Sequence, residues 1–203
     1  MRNVWEYNTE KSGCRDLCKP LVGGRVMRVF LALHPDEQSE KRLLGWIEDL
    51  KGEGVKGRGV NGESLHVTLA FLDEQSEQDI ETVEKVLEKI PFSLQSFTPS
   101  GFGLFCNALV LKLDSSDEFQ NYVRELRKSL KEAGIVFKDG PFQAHVTLFR
   151  GVKNRKEPIV QRLLEKNPAW INSAESMQFG MPGLYASELL PSGARYTLLF
   201  EKE

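Results

Sequence analysis

The sequence predicts an α+β protein with two similar lobes, formed by an internal duplication, and a central cleft between them. Three observations carry this prediction. The tetrapeptide His-Val-Thr-Leu occurs at 66–69 and again at 145–148, helical and strand patterns recur in the same order, and other landmarks repeat at nearly the same spacing. Short connections favour two mixed or antiparallel sheets with helices outside them.

The first repeat covers about residues 27–107. Apolar runs predict its strands, and apolar residues at helical spacing between a capping residue and a glycine or proline predict its helices. Its predicted elements are a strand at 26–33, a helix at 36–52, a glycine-rich loop at 51–61, the first motif strand at 65–72, a turn at 73–76, a helix at 77–90 and a strand at 92–97.

The second repeat covers about residues 108–190, and a final strand at 195–201 completes a two-lobed domain from 27 to 203. Its predicted elements are a strand at 108–113, a helix at 116–133, a loop at 138–141, the second motif strand at 143–150, a helix at 157–166, a strand from 168 to 180 and a strand at 183–190. The order of elements matches that of the first repeat.

Landmarks outside the tetrapeptide also recur between the two repeats. They are Pro91 and Pro168, 77 positions apart, Phe102-Gly103 and Phe179-Gly180, also 77 apart, and Leu104-Phe105 and Leu184-Tyr185, 80 apart. The tetrapeptide itself repeats at a spacing of 79. A constant order at nearly constant spacing indicates a diverged duplication, and we expect a pseudo-two-fold axis between the lobes.

Composition limits the function classes. The chain of 203 residues is 40% hydrophobic and 28% charged, with a formal net charge of −2. Proteins that hold long nucleic acid duplexes usually carry a basic surplus, so we expect any nucleic acid partner to be a short piece, an end or a nucleotide. No apolar stretch reaches 18 residues, which predicts no membrane partner.

Residues 1–26 are predicted to be an N-terminal extension of unknown role. They are polar, lack clear periodicity and contain Cys14 and Cys18. Without a second pair or nearby histidines, these are expected to be ordinary thiols rather than metal ligands. With Cys106 the chain has three cysteines, which argues for a reducing compartment. No secretory signal pattern is present, and we expect a cytoplasmic monomer.

The two tetrapeptides hold two of the three histidines in the chain. Side chains alternate along a strand, so His66 and Thr68 point to one face while their apolar neighbours point to the core, and His145 and Thr147 do the same. Pseudo-symmetry would gather these four side chains around one point. A histidine on a strand is commonly structural, but packing gives no reason for polar residues to match on two open faces.

Paired histidines can supply one general base and one general acid, and threonine hydroxyls can donate hydrogen bonds to phosphate oxygens. This combination indicates displacement at phosphorus. The competing interpretation is a zinc site, which needs a third protein ligand, and no cysteine, histidine or carboxylate recurs with the pair. The Gly-x-Ser-x-Gly signature of a serine triad is also absent. No metal or other cofactor is therefore expected.

The ordered motifs resemble the two-histidine phosphoesterase superfamily, and within it the RNA 2′,3′-cyclic phosphodiesterase family, also called 2′-5′ RNA ligases. The resemblance runs from Met27 to about Lys202. The similar blocks are 27–33, 63–72, 101–103, 144–150, 184–187 and 193–197. It implies a bilobal fold and metal-independent hydrolysis of a 2′,3′-cyclic phosphate to a 2′-phosphate, on RNA ends or nucleotides.

The resemblance also implies residue roles. His66 would protonate the departing 3′ oxygen and His145 would activate water, or the reverse, because the motifs are symmetric. Thr68 and Thr147 would hold phosphate oxygens, and Arg150 would add a cationic contact. Arg150 lies five residues after His145, on the opposite face of a regular strand, so this role needs a bulge near 149–150.

The chain departs from the family pattern before the first motif. Family members often carry a basic residue and a tryptophan there, whereas this chain reads Gly-Arg-Gly-Val at 57–60. Arg58 is the candidate for the basic contact, and no aromatic residue is available there for base stacking. Met27 resembles the family start, so the preceding residues are either an extension or a mis-assigned start.

Two other functions stay open on the sequence alone. One is a module that binds a nucleotide or RNA end without turnover, although both motifs are intact. The other is the same chemistry on 2′-5′ oligonucleotides or on small cyclic phosphates. The loops at 51–61 and 138–141 would set that specificity.

Overall fold

The computed structural model describes residues 26–166, 168–190 and 193–203; Cys14, Cys18 and the rest of the predicted extension before residue 26 lie outside this range. The described strands are β1 Val26–Pro35, β2 Arg58–Gly59, β3 Val67–Ser76, β4 Gln95–Phe105, β5 Ala108–Asp114, β6 His145–Arg150, β7 Met177–Leu190 and β8 Gly193–Glu201. The described helices are α1 Glu37–Gly52, α2 Glu77–Lys89, α3 Asp117–Glu132, α4 Pro158–Glu165 and α5 Ala169–Asn172. No helix in these ranges is long and apolar enough to cross a membrane.

The strands pair antiparallel throughout, in two groups of four. The first half-sheet has the order β3-β1-β7-β8 and the second has the order β6-β5-β4-β7, with β2 added beside β6. The long strand β7 belongs to both, because its start pairs with β4 and its later part with β1. A second connection joins β3 to β6. The α+β class with antiparallel strands is thus confirmed.

The half-sheets do not follow the two contiguous repeats along the chain. β1 and β3 come from the first repeat, yet their half-sheet is completed by β7 and β8 from the end of the chain. β4 comes from the first repeat and lies in the second half-sheet. Each half-sheet therefore contains strands from both ends of the predicted duplication, while the division of the chain at about residue 107 remains a prediction.

Helices α1 and α3 occupy equivalent places and are terminated in the same way. Each begins at a side-chain cap, Asp36 or Ser116, that accepts a hydrogen bond from the backbone N–H three residues on. Each is followed by a glycine in the left-handed region, Gly54 with φ of 104° and Gly134 with φ of 85°. This agreement at a spacing of 80 supports the duplication inferred from the motifs.

Several predicted elements differ from the structure. The strand expected at 92–97 continues to Phe105, and the strands expected at 168–180 and 183–190 form the single strand β7. Residues 73–76 were expected to be a turn, but β3 continues through them and pairs with β1 as far as Ser76. Asp73 adopts a positive φ of 60° beside a bulge, which bends the strand without ending it. The strand expected from Pro168 begins only at Met177, because Pro168 caps the short helix α5 instead.

One apolar cluster packs against one face of the strands. It joins buried residues of β1, β3, β5 and β6 to the apolar faces of four helices, through Leu43, Ile80, Leu126 and Val160. The helices therefore cover this face. The polar motif residues alternate with the buried ones and point to the opposite face, which is left open for chemistry.

The helix ends give a test of the backbone geometry. Gly134→Ala should destabilise the protein by about 1–2 kcal/mol, because a side chain is strained at positive φ even where nothing crowds the new Cβ. Gly45→Ala, in the middle of α1 with equally open space, should stabilise by roughly 0.5–1 kcal/mol. Urea unfolding measures both, and equal effects of the two substitutions would contradict the left-handed helix end.

Candidate active site

The two motif strands lie side by side. Val67 of β3 pairs with Val146 of β6 in antiparallel orientation. In such a pair, the residue before each valine faces the residue after the other. The facing positions are His66 opposite Thr147 and Thr68 opposite His145. The two histidines are therefore diagonal neighbours across the strands, about 7–8 Å apart by ordinary sheet spacing.

Burial along the motif strands follows the predicted alternation. Val67 and Val146 have no exposed surface, whereas the histidine and threonine on either side of each valine are partly exposed. The structure thus brings the four predicted residues His66, Thr68, His145 and Thr147 onto one open face. His66 itself directly precedes β3, after a 3-10 turn at Gly62–Ser64.

Both motif strands contain a bulge at the leucine of the tetrapeptide. In β3 the pairing with β1 skips Leu69, and in β6 the pairing with β5 skips Leu148. The extra residue reverses the alternation that follows, so Leu148 and Phe149 are both buried while Arg150 is partly exposed. The bulge therefore places Arg150 on the same face as the histidines, as its predicted role requires.

The two imidazoles are oriented by the same hydrogen bond. Nδ1 of His66 lies 2.9 Å from the carbonyl oxygen of Ser64, and Nδ1 of His145 lies 2.8 Å from that of Gln143. A carbonyl only accepts, so Nδ1 carries the proton in both rings. The Nε2 atoms then form the matched pair of groups that are free to exchange a proton with a ligand.

Both histidines are neutral at pH 7 in the unliganded protein. Burial lowers the pKa of His66 to about 4, the bond to Ser64 opposes that shift, and the charge of Arg150 adds to it. Burial also lowers the pKa of His145, against the opposing bond to Gln143. An anion bound beside the imidazoles would oppose both shifts, because a nearby negative charge favours the protonated ring.

An aromatic cluster surrounds His66. The rings of Phe30 and Tyr196 lie 5.0 and 5.3 Å from the imidazole, measured between centroids, and Tyr196 meets it edge-on at 90°. The Tyr196 hydroxyl accepts a hydrogen bond of 3.1 Å from Nη2 of Arg150. Tyr196 therefore positions both the imidazole and the guanidinium, a role that the sequence did not reveal although its Gly-Ala-Arg-Tyr-Thr block matched the family.

Arg58 also lies close to the motifs. It pairs directly with Arg150 across β2 and β6, and its guanidinium rests 3.1 Å from where a Cβ of Gly193 would be. Both arginines line a cavity of about 360 Å³ that also includes Tyr196 and Ser64. Like charges on directly opposed strand positions repel, and an anion in the cavity would relieve that repulsion.

A larger cavity, of about 460 Å³, lies against α3 and Asp139. Neither cavity is lined by a residue of the two tetrapeptides, but the smaller one is lined by Ser64 and Tyr196, which contact His66. In the larger cavity, Arg127 and Lys131 are paired with Asp139. The cavity beside His66 is therefore the better candidate for a ligand.

Two further residues flank the histidines. Phe105, at the end of β4, places its ring edge-on 4.7 Å from His145 and is 40% exposed. It offers an aromatic surface at the site, where the sequence before the first motif has none. His34, the third histidine, has its ring nitrogens 3.1 Å from the carbonyl oxygens of Pro35 and Gly62, so it is held at the end of β1 by backbone contacts.

No group of three His, Cys, Asp or Glu side chains with suitable placement for a metal ion occurs within the described residues.

Comparison with known proteins places the chain in a family. A model of the 2′-5′ RNA ligase superfamily matches residues 35–176. The chain belongs to the 2′-5′ RNA ligase superfamily. Superfamily relatives include the RNA 2′,3′-cyclic phosphodiesterase of Thermotoga maritima, which is 30% identical over 86% of this chain and 94% of its own. That of Archaeoglobus fulgidus is 28% identical over 84% and 96%.

Solved structures share the fold of this superfamily member. Escherichia coli LigT in its apo form aligns with a TM-score of 0.67 at 22% identity, over 86% of this chain and 95% of LigT. A crystal structure described as a phosphoesterase aligns with a TM-score of 0.70 at 21% identity, over 87% and 97%. These alignments support the α+β, two-part antiparallel architecture.

The histidine environments predict the titration of the free protein. In NMR spectra of the imidazole nitrogens, His66 and His145 should both titrate below pH 6.5, with His66 near pH 4. Arg150→Gln should raise the pKa of His66, because it removes a nearby positive charge. Adenosine 2′-phosphate should raise the pKa of both rings. A free-state pKa of His66 at or above 6.5 would contradict the buried geometry.

Proposed function

We propose that the protein hydrolyses 2′,3′-cyclic phosphate ends of RNA to 2′-phosphates by histidine acid–base catalysis without a metal. The pairing of Val67 with Val146 carries this proposal, because it puts two imidazoles with free Nε2 atoms on one face at a diagonal spacing. The names of the superfamily relatives, RNA 2′,3′-cyclic phosphodiesterases, support the same substrate class.

The reaction is a displacement at phosphorus. Water attacks the phosphorus atom opposite the 3′ oxygen while Nε2 of one histidine removes a proton from it. The bond from phosphorus to the 3′ oxygen breaks, and the Nε2–H of the other histidine donates its proton to that oxygen. The products are a 2′-phosphate monoester and a free 3′-hydroxyl, and the two histidines have exchanged protonation states.

The acid takes up its proton from solvent when the anionic substrate binds. Both imidazoles are neutral in the free protein at pH 7, since burial lowers their pKa values. The cyclic phosphate carries one negative charge, which favours the protonated form of an adjacent imidazole and offsets the charge of Arg150. Binding therefore assembles the protonated and neutral pair that the reaction requires.

We assign His66 as the acid and His145 as the base, following the family resemblance. A substrate with sulfur in place of the 3′ oxygen tests the assignment, because a thiolate leaves without protonation. His66→Ala should recover most of its lost rate on this substrate relative to wild type, while His145→Ala should not. Recovery in His145→Ala alone would reverse the roles.

The remaining predicted residues contact the phosphate and its substituents. Thr68 and Thr147 face the two histidines and would donate hydroxyl hydrogen bonds to non-bridging oxygens. Arg150, held by Tyr196, would balance the negative charge that develops there. Arg58 lines the adjoining cavity of about 360 Å³, where it would contact the nucleotide.

The central test is turnover of a short RNA ending in a 2′,3′-cyclic phosphate, assayed in EDTA. Wild type should form the 2′-phosphate, and His66→Ala and His145→Ala should each lose at least ~10²-fold in turnover. His34→Gln, whose ring nitrogens lie against backbone carbonyls, is the matched control and should keep near wild-type turnover.

Three outcomes would contradict this function. Tight binding of the RNA end without turnover would make the protein a binding module. Loss of activity in EDTA would require a metal. Efficient cleavage of 2′-5′ oligonucleotides or small cyclic phosphates, with none of RNA ends, would change the substrate.

The pH dependence follows from the same histidines. kcat/KM follows the fraction of free protein in which one imidazole is protonated and the other neutral. Both pKa values are lowered, so this fraction is small at pH 7, and kcat/KM should peak below pH 6.5 and fall as pH rises. Its acid limb should lie near pH 4. Arg150→Met should move that limb to higher pH as well as lower the rate. A maximum above pH 7.5 would exclude this pair as the titrating groups.

A further inference from the structure

A lysine lies beside His145 on the same face of the second half-sheet. Lys112 of β5 pairs directly with His145 of β6, and directly paired residues point to the same side. The neighbouring strand β4 presents glycines at the facing positions, Gly101 opposite Lys112 and Gly103 opposite Val110. Because these glycines have no side chains, the open face has a shallow depression over β4, on the side of His145 away from β3.

The Lys112 side chain lies across this depression. A Cβ placed on Gly103 would be 2.8 Å from Cε of Lys112 and 3.8 Å from its Nζ. The ammonium group therefore lies over β4, about two strand spacings (roughly 9–10 Å) from His145 on β6. It lies beyond immediate reach of a phosphate held between the two histidines, and within reach of a second group on the same substrate.

The charge of Lys112 is not balanced by a side chain of the described ranges. Arg127 and Lys131 share Asp139, whereas Lys112 makes no hydrogen bond or ion pair with any residue in 26–166, 168–190 or 193–203. Its side chain is half-buried. A half-buried cation without a partner loses hydration at a cost, and a ligand anion would compensate it.

The position in the first half-sheet that is equivalent to Lys112 holds a histidine, and the ring nitrogens of this histidine are already used in backbone contacts. Leu33 pairs with Val67 as Leu111 pairs with Val146, so His34 is the equivalent of Lys112. Both ring nitrogens of His34 are already directed at backbone carbonyls. The two motifs alone would accept a cyclic phosphate in either orientation. Arg150 makes the His66 side of the cleft cationic, and Lys112 adds a separate cation on the His145 side.

We infer that Lys112 binds a second phosphate of the substrate, the one on the 5′ oxygen of the ribose that carries the cyclic phosphate. This inference rests on the proposed function. It implies that Lys112 sets the orientation of the nucleotide and favours RNA ends and 5′-phosphorylated nucleotides over simple nucleoside cyclic phosphates. Lys112 has no part in the proton transfers.

The test compares adenosine 2′,3′-cyclic phosphate with the same compound bearing a 5′-phosphate. Wild type should prefer the 5′-phosphorylated substrate through a lower KM. Lys112→Met should lose about tenfold in kcat/KM on that substrate and stay unchanged on the other. The salt dependence on the 5′-phosphorylated substrate should weaken by about 0.7 in log–log slope, the value for one phosphate contact.

Two further variants separate a specific role of Lys112 from a general effect of positive charge in the cleft. Gly103→Ala keeps the lysine but forces Cε to move, and should show the same selective loss. Arg195→Met, in the cavity on the His66 side, is the matched removal of another cation and should leave the preference intact.

The inference is overturned if Lys112→Met impairs both substrates equally, if wild type has no preference, or if Arg195→Met abolishes the preference instead. If wild type hydrolyses neither substrate, the proposed function fails separately. Calorimetric binding of adenosine 2′-phosphate with and without a 5′-phosphate then decides the role of Lys112. The role of Lys112 is supported if the 5′-phosphate increases the affinity and Lys112→Met removes that increase. The role is overturned if the increase is undiminished in Lys112→Met.

Discussion

The contact between β3 and β6 at Val67 and Val146 is the constraint on which the site depends. Both valines are fully buried, so each must point into the apolar cluster under the sheet. Once they do, strand alternation directs the histidine and threonine beside each of them to the open face. A slip of one residue in either strand would bury one motif's polar residues and break the site.

The bulge in β6 brings Arg150 to the open face, where a regular strand would not place it. Leu148 is the extra residue in β6, and it turns Arg150 toward the histidines and the hydroxyl of Tyr196. The first motif has the same bulge at Leu69, but Phe71 takes the position of Arg150 there. The duplicated strands thus keep their backbone geometry while their side chains diverge, and the cleft acquires one charged side beside His66.

The parts of this site differed in how far sequence could predict them. The spacing of the tetrapeptides and the alternation of a strand were enough for His66, Thr68, His145 and Thr147, because both are local properties of the chain. Arg150 required a bulge, which only the family resemblance gave reason to expect. The pairing of Val67 with Val146 is a long-range register that periodicity does not encode.

Neighbours brought by other strands were beyond the sequence for the same reason. Tyr196 lies 130 positions after His66 along the chain, yet its ring contacts that imidazole. Phe105 reaches His145 from β4, two strands away in the half-sheet. Some predictions of strands and turns were wrong because another interaction outweighed the local sequence signal. The polar stretch at 73–76 continues as strand because β1 pairs with it. Pro168 caps a helix instead of opening a strand.

The central claim is that one phosphate lies between the two Nε2 atoms. A crystal structure with adenosine 2′-phosphate bound, or with vanadate as a transition-state mimic, measures this directly. We expect the Nε2 atoms of His66 and His145 to lie within about 2.6–3.2 Å of different oxygens on one phosphorus or vanadium centre. An anion bound by a single histidine, or held only in the cavity of Arg58, would contradict it.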